Sequence, residues 1–278
     1  MSSLRKHLVA MDRIHKLNFE SINSDFYIKF IEYHQQKGFT NGFTSENINV
    51  LKWFLKWAEE EGYNTNLYYS KFKYRPKKPS IDDNIVKLDI NELLHLYKLH
   101  LDKPHLEKAK DVFIFGCFTG MRFSELKKLK KTDIQDDKII YTTEKTVKKL
   151  TIPLNKYSRP IWKKYKDSPG TTALPVYSNA VYNKYLKEIG KAAQFDSNVT
   201  KIQFTGNRRI EIVLPKWAAI TTHTARKTFL STAVYLKIPI EIAIEMTGQT
   251  YQVARRYYEV DPRTIEDEMK KFDKLRIV

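Results

Sequence analysis

The chain is 278 residues long, enough for two domains with cores of their own, and its 42% hydrophobic content excludes wholesale disorder. Its 49 Lys+Arg against 32 Asp+Glu leave a net charge of +17, which implies a polyanionic partner, with nucleic acid the default. No apolar run approaches the ~20 residues of a spanning helix, the amino terminus lacks a signal-peptide core, and a single cysteine, Cys117, excludes an intramolecular disulfide and a cysteine-based zinc site. These features describe a soluble cytoplasmic protein that faces DNA rather than a membrane and associates with the nucleoid.

Residues 1–70 read as an all-α unit. Phe26, Phe30, Ile31 and Tyr33 recur at helical spacing. A further helix, opening near Ser45 as N-cap, places Ile48, Leu51, Leu55 and Ala58 on one face. Lys52, Lys56, Trp53 and Trp57 lie largely off that stripe, and the two lysines are candidate DNA contacts. Lys71, Lys73, Arg75, Lys77 and Lys78 then form a run of cations without an acid, interleaved with Phe72 and Tyr74 and broken by Pro76 and Pro79. Such a run is either a solvated linker or a strap along phosphates; the interleaved aromatics and the overall charge favour the strap. Residues 71–86 are therefore the boundary, and 87–278 the second domain.

That domain opens on Asp89 and Glu92, a helix-start pair. Helices are expected over 105–118, 123–131, 155–166, 179–193, 223–236, 239–247 and 252–259. Residues 138–143 with 149–154, and 201–204 with 209–214 around Gly206-Asn207, read as two hairpins. The fold class is α+β, mostly helical with small antiparallel sheets. Cys117 sits in the apolar run 112–118 and is expected to be buried and inert. The terminal segment 264–278 carries Ile265, Met269 and Phe272 on one face, suited either to a neighbouring protomer or to its own domain.

Three segments carry chemistry: Thr119-Gly120-Met121-Arg122-Phe123-Ser124-Glu125-Leu126, His223-Thr224-Ala225-Arg226, and Arg256-Tyr257-Tyr258-Glu259-Val260-Asp261-Pro262. Arg122 stands at a helix start, where free N–H groups and a guanidinium make a phosphate pocket, unless it is only a surface partner of Glu125. His223 and Arg226 are three apart on one helix and share a face. Arginines neutralise a phosphate, and a tyrosine hydroxyl can attack it.

In this order and spacing the set resembles the tyrosine recombinase (phage integrase) family. The pattern Thr-Gly-x-Arg-x-x-Glu-Leu is matched at each fixed position, and His-Thr-Ala-Arg-Lys-Thr-Phe closely resembles the second box. The resemblance covers nearly the whole chain. It implies a helical core-binding domain and a catalytic domain in a C-shaped clamp around duplex DNA. Arg122 and Arg226 would stabilise the phosphorane, and His223 would serve as base or positioner. A hairpin lysine, Lys145 or alternatively Lys148, would protonate the leaving oxygen. The nucleophile would be Tyr257, with Tyr258 the alternative, since counting from Gln249 and from Arg226 favours the later residue. Gln249 departs from the pattern, standing where family members usually carry histidine or tryptophan.

The implied activity is site-specific recombination through a 3′-phosphotyrosyl intermediate, with no metal and no cofactor. The implied partners are double-stranded DNA, three further copies of the chain in a homo-tetramer on two DNA sites, and a DNA-bending accessory protein. A type IB topoisomerase uses a similar residue set to relax supercoils. A DNA-binding member with impaired catalysis is the other alternative, and Gln249 is its support.

Overall fold

The computed structural model describes residues 2–80, 85–143, 148–257 and 269–270. The chain divides into two compact units, Met1–Asn84 with Thr200–Val213, and Ile85–Val199 with Leu214–Val278.

In the first unit, helices α1 (Ser2–His15), α2 (Ser24–Gln36), α3 (Asn41–Glu60) and α4 (Tyr68–Lys71) enclose one apolar core. Asn23 caps α2 by accepting from the Phe26 amide at 3.2 Å. The stripe of Ile48, Leu51, Leu55 and Ala58 on α3 is buried, as its period requires, and the first three share a core with Phe26, Tyr27 and Phe30 of α2. The start of α3 differs from expectation. Thr40, not Ser45, is the cap, its hydroxyl accepting from Phe43 N at 3.2 Å. The apolar stripe begins only at Ile48, so the pattern alone concealed one full turn that a threonine cap sustains through Gly42.

Residues 72–80 have no regular structure, as Pro76 and Pro79 require, yet exposure alternates from residue 71 to residue 77. Lys71, Lys73, Arg75 and Lys77 are exposed while Phe72, Tyr74 and Pro76 between them are half-buried. Phe72 stacks on Tyr27 with ring centroids 3.9 Å apart, and Asn41 donates to Lys77 O at 2.9 Å. The extended segment thus turns its rings inward and its cations outward. Asn41 also clasps the Gly206 turn, donating to its carbonyl and accepting from its amide, both at 2.8 Å.

The second unit is mostly helical with small sheets. It comprises α5 (Ile90–Lys98), α6 (Pro104–Thr119), α7 (Phe123–Lys128), β1 (Ile134–Gln135), β2 (Lys138–Thr142), β3 (Lys149–Pro153), α8 (Ser158–Tyr165) and α9 (Asn179–Ala192). The hairpin β4 (Asn198–Thr205) and β5 (Arg208–Pro215) belongs over Thr200–Val213 to the first unit, and the second continues with α10 (Lys216–Ala219), α11 (Thr222–Tyr235), α12 (Ile240–Thr247) and α13 (Tyr251–Ala254). Asp89 and Glu92 form the expected capping box at 2.8 and 2.9 Å. Helix α6 is buried nearly all round, which makes it the centre of the unit, and Cys117 is 1% exposed there. Its thiol is pushed well up by burial, so it is inert at neutral pH. Gly116 lets α11 approach α6: a Cβ there would lie 3.2 Å from that of Ala225.

The expected hairpin of 138–143 with 149–154 is present, Ile139 facing Ile152 and Tyr141 facing Leu150, and β1 adds an unexpected third strand. Helix α7 ends at Lys128 rather than at 131, because the chain beyond it pairs elsewhere. Leu129 O accepts from Ala173 N at 2.8 Å, and Lys131 N donates to Thr171 O at 2.9 Å. The last expected helix resolves into α13 and a 3₁₀ turn at Arg255–Tyr257. Lys145, Tyr258, Ile265 and Phe272 lie outside the described residues.

Candidate active site

Two helices of the second unit end alike. Gly120 closes α6 and Gly248 closes α12, each in the left-handed conformation, at φ +69° and +60°. Gly120 is required twice over. Its φ disfavours any side chain, and a Cβ would lie 2.7 Å from the Phe229 ring and 2.9 Å from Thr247 Cγ2. These endings turn helix C-terminal carbonyls, which carry partial negative charge, toward two guanidiniums.

Arg226, on α11 and 5% exposed, donates through Nη1 to Gly120 O at 2.7 Å and through Nη2 to Thr247 O at 2.6 Å. Arg122, at the start of α7, reaches Gly248 O at 3.5 Å. It is gripped by Glu125, which accepts from its backbone N and from Nη1, both at 2.8 Å. Tyr141 on β2 donates to the same carboxylate at 3.1 Å. Burial, then Glu125, push that phenol well up, so it remains a donor. Arg122 therefore pairs with Glu125 and also lines a cavity.

The first turn of α11 is fixed by its own cap and by α9. Thr222 N donates to Asn183 Oδ1 on α9, and Thr221 N donates to Thr224 Oγ1, each at 3.0 Å. This sets His223 and Arg226 on one face. Arg122, His223, Arg226, Gln249 and Tyr257, together with Lys227 and Thr250, line one cavity of about 330 Å³. Tyr257 is half-buried against Leu230, Ala233 and Ala243.

The electrostatics are cationic. Burial first, then Arg122, bring the Arg226 guanidinium down to about 10, so it stays charged at neutral pH. Burial, then Lys227, Arg226 and Arg122, lower His223, favouring a neutral imidazole able to accept a proton. Burial raises Tyr257, while Arg256 and Arg226 oppose that rise. The phenol is thus protonated at neutral pH and needs a base or a nearby cation to act as a nucleophile.

Five of the sequence-derived site residues, Arg122, His223, Arg226, Gln249 and Tyr257, are therefore brought together. Lys148 is not: it pairs with Glu245 on α12 at 2.7 Å, with both side chains exposed. Among the cations proposed to meet DNA, Lys52, Lys73, Arg75 and Lys78 surround a second hollow with Ser45 and Asn49. Lys71 and Lys77 are exposed, and Lys56 pairs with Glu60 at 3.4 Å. Sequence reasoning missed Lys227, adjacent to Arg226, and Tyr141, whose role depends on a strand-to-helix contact. Among the described residues no group of three or more His, Cys, Asp or Glu is placed to hold a metal ion, and no helix is long and apolar enough to cross a membrane.

Neither a protein-family model nor a curated protein sequence matches the chain. Solved structures do. A lambda integrase dimer bound to a COC′ core site superposes with TM-score 0.66 at 18% identity, over 94% of this chain and 88% of that one. A lambda integrase tetramer bound to a Holliday junction gives TM-score 0.65 at 16% identity, over 92% and 70%. The Tn1549 transposon integrase in complex with a circular intermediate DNA gives 0.64 at 14%, over 90% and 86%. The chain has the fold of these integrases.

Proposed function

We propose that this protein is a tyrosine-type site-specific DNA recombinase, or integrase, that cuts and rejoins duplex DNA. The observation that carries the reading is the convergence of Arg122, Arg226, His223 and Tyr257 on one cavity, in a chain with an integrase fold. Residues 1–70 would grip DNA, 71–86 would run along phosphates, and 87–278 would cut. Lys52, Lys56, Lys71, Lys73, Arg75, Lys77 and Lys78 would supply the sequence-independent contacts.

In the cutting step the Tyr257 oxygen bonds to the scissile phosphorus, its proton passing to neutral His223. The bond to the 5′ oxygen breaks, and Lys145 returns a proton to that oxygen. Arg122 and Arg226 stabilise the added charge of the pentacoordinate phosphorane. One P–O ester replaces another, so the covalent link conserves the energy needed for rejoining. Four protomers on two sites, with a DNA-bending accessory protein, would complete the exchange.

The experiment starts from duplexes that the protein selects out of a random library. Two such duplexes of different length are mixed with protein in EDTA without ATP. Recombinant lengths are expected. Relaxation of a supercoiled plasmid without recombinants would favour a type IB topoisomerase, and binding without cutting would favour an impaired DNA-binding member.

A further inference from the structure

Gln249 follows the left-handed Gly248 and faces Arg226 across the cavity. An amide has two different ends, so its orientation has consequences. In the orientation that satisfies both groups, the Gln249 carbonyl accepts from Arg226 Nε at 2.5 Å and from Nη2 at 3.0 Å. The amide NH₂ is then turned away from the guanidinium. With the carbonyls of Gly120 and Thr247, this gives Arg226 three described acceptors, all neutral. Arg122 is held quite differently, by the carboxylate of Glu125.

We propose that Gln249 is a positioning residue for Arg226. Its carbonyl fixes the guanidinium through Nε without cancelling the charge, and its NH₂ is left to donate to a phosphate oxygen. A carboxylate here would hold Arg226 equally well but would neutralise it and repel the phosphate. An aliphatic side chain would leave the Nε hydrogen without an acceptor in a buried place, at a cost in position. Glutamine is thus a substitute for a ring donor that adds a second function. The inference rests on the recombinase reading for the phosphate, but not for the grip on Arg226.

Two measurements on the full chain test it. The first is single-turnover covalent adduct formation on a nicked form of a selected duplex, between about pH 5.5 and 8.5. Gln249→Glu, although nearly isosteric, is expected to lose roughly 10²–10³-fold, as when a transition-state donor is removed. Gln249→His is the sharper variant. Only a neutral imidazole accepts from Arg226 Nε, so its rate relative to unaltered protein should fall on acidification, at a pH below the ordinary imidazole value of about 6.5 because the cations that lower His223 face position 249 too. Taking that ratio divides out the titration that His223 and Tyr257 show in both proteins; Arg122, Arg226 and Lys227 also face the position. A ratio that rises on acidification means that position 249 only donates to phosphate, and overturns the proposal.

The second measurement does not require cutting. The Arg226 Nε–H proton, assigned by its loss in Arg226→Lys, should exchange slowly with water in the unaltered protein and in Gln249→Glu. In Gln249→Ala it should exchange at least about 10-fold faster, having lost its acceptor. Equal exchange in the unaltered and alanine proteins overturns the proposal. A protein that binds its selected duplex yet forms no adduct defeats the recombinase reading, while the exchange comparison still decides the role of Gln249.

Discussion

Glu125 holds Arg122 at two points, the backbone amide and the guanidinium, each 2.8 Å from a carboxylate oxygen. One side chain thereby starts helix α7 and aims the arginine. Its own side chain is 3% exposed, so the pair is shielded from water on the carboxylate side. Removing one member of such a pair leaves the other uncompensated. Glu125→Ala is expected to lower stability by about 2–3 kcal/mol and adduct formation by ~10²-fold. Urea unfolding and single-turnover cleavage, run side by side, check both numbers.

Tyr141 supports that carboxylate from β2, donating at 3.1 Å. Tyr141→Phe keeps the ring and deletes one donor, so a loss of about 1 kcal/mol is expected. Cleavage should slow several-fold through Arg122, with DNA affinity unchanged. A filter-binding titration beside the cleavage assay separates these effects.

Gly120 tests the backbone of the site. An alanine must adopt φ near +69° and displace the Phe229 ring and Thr247. Gly120→Ala is expected to cost about 2–4 kcal/mol. It also shifts the carbonyl that receives Arg226, so activity should fall further than the lost stability accounts for. Thermal melting gives the first quantity, and cleavage at a temperature where the variant is folded gives the second.

Much of this was legible in the chain. The apolar run of α6 and the stop at Gly120, the Asp89–Glu92 cap, the β2–β3 hairpin and the proximity of His223 and Arg226 all follow from local pattern. Their determinants lie within a few residues of one another. What was not legible is nonlocal or hidden by a weak pattern. Thr40 begins α3 before the apolar stripe does, and Thr171–Ala173 draw the chain out of α7 at Leu129. The Tyr141–Glu125 contact joins a strand to a helix, and Gln249 shares its cavity with Arg226 of a different segment.

Stability should depend on pH through His34. It is 0% exposed, bonded through Nδ1 to Phe30 O at 2.8 Å, with the His7 ring 4.9 Å away. Burial is the largest cause lowering it from 6.5, and His7 lowers it further against the opposing bond to Phe30. The unfolded chain therefore takes up the proton first as pH falls. The contribution is fully present above about 6.5 and is lost as pH drops through the folded value. Urea midpoints at pH 7.5 and 5.5 should differ less in His34→Leu than in the unaltered protein; the two pH values span about a unit on either side of an ordinary imidazole.

The two hairpin lysines should separate cleanly. Lys148 is committed to an exposed pair with Glu245, worth at most about 1 kcal/mol. Lys148→Ala should leave cleavage within ~3-fold, whereas Lys145→Ala should lower it by ~10²–10⁴-fold as a general acid. A bridging 5′-sulfur leaving group needs no proton and should rescue only the Lys145 variant.

In the proposed reaction the Tyr257 oxygen becomes covalently joined to DNA inside the Arg122–Arg226 cavity. The most direct measurement traps the adduct on a nicked duplex in EDTA, digests it, and locates the nucleotide-bearing peptide by mass spectrometry. The label is expected on Tyr257, lost in Tyr257→Phe and retained in Tyr258→Phe. Label on Tyr258, or no adduct from a protein that binds the duplex, contradicts it.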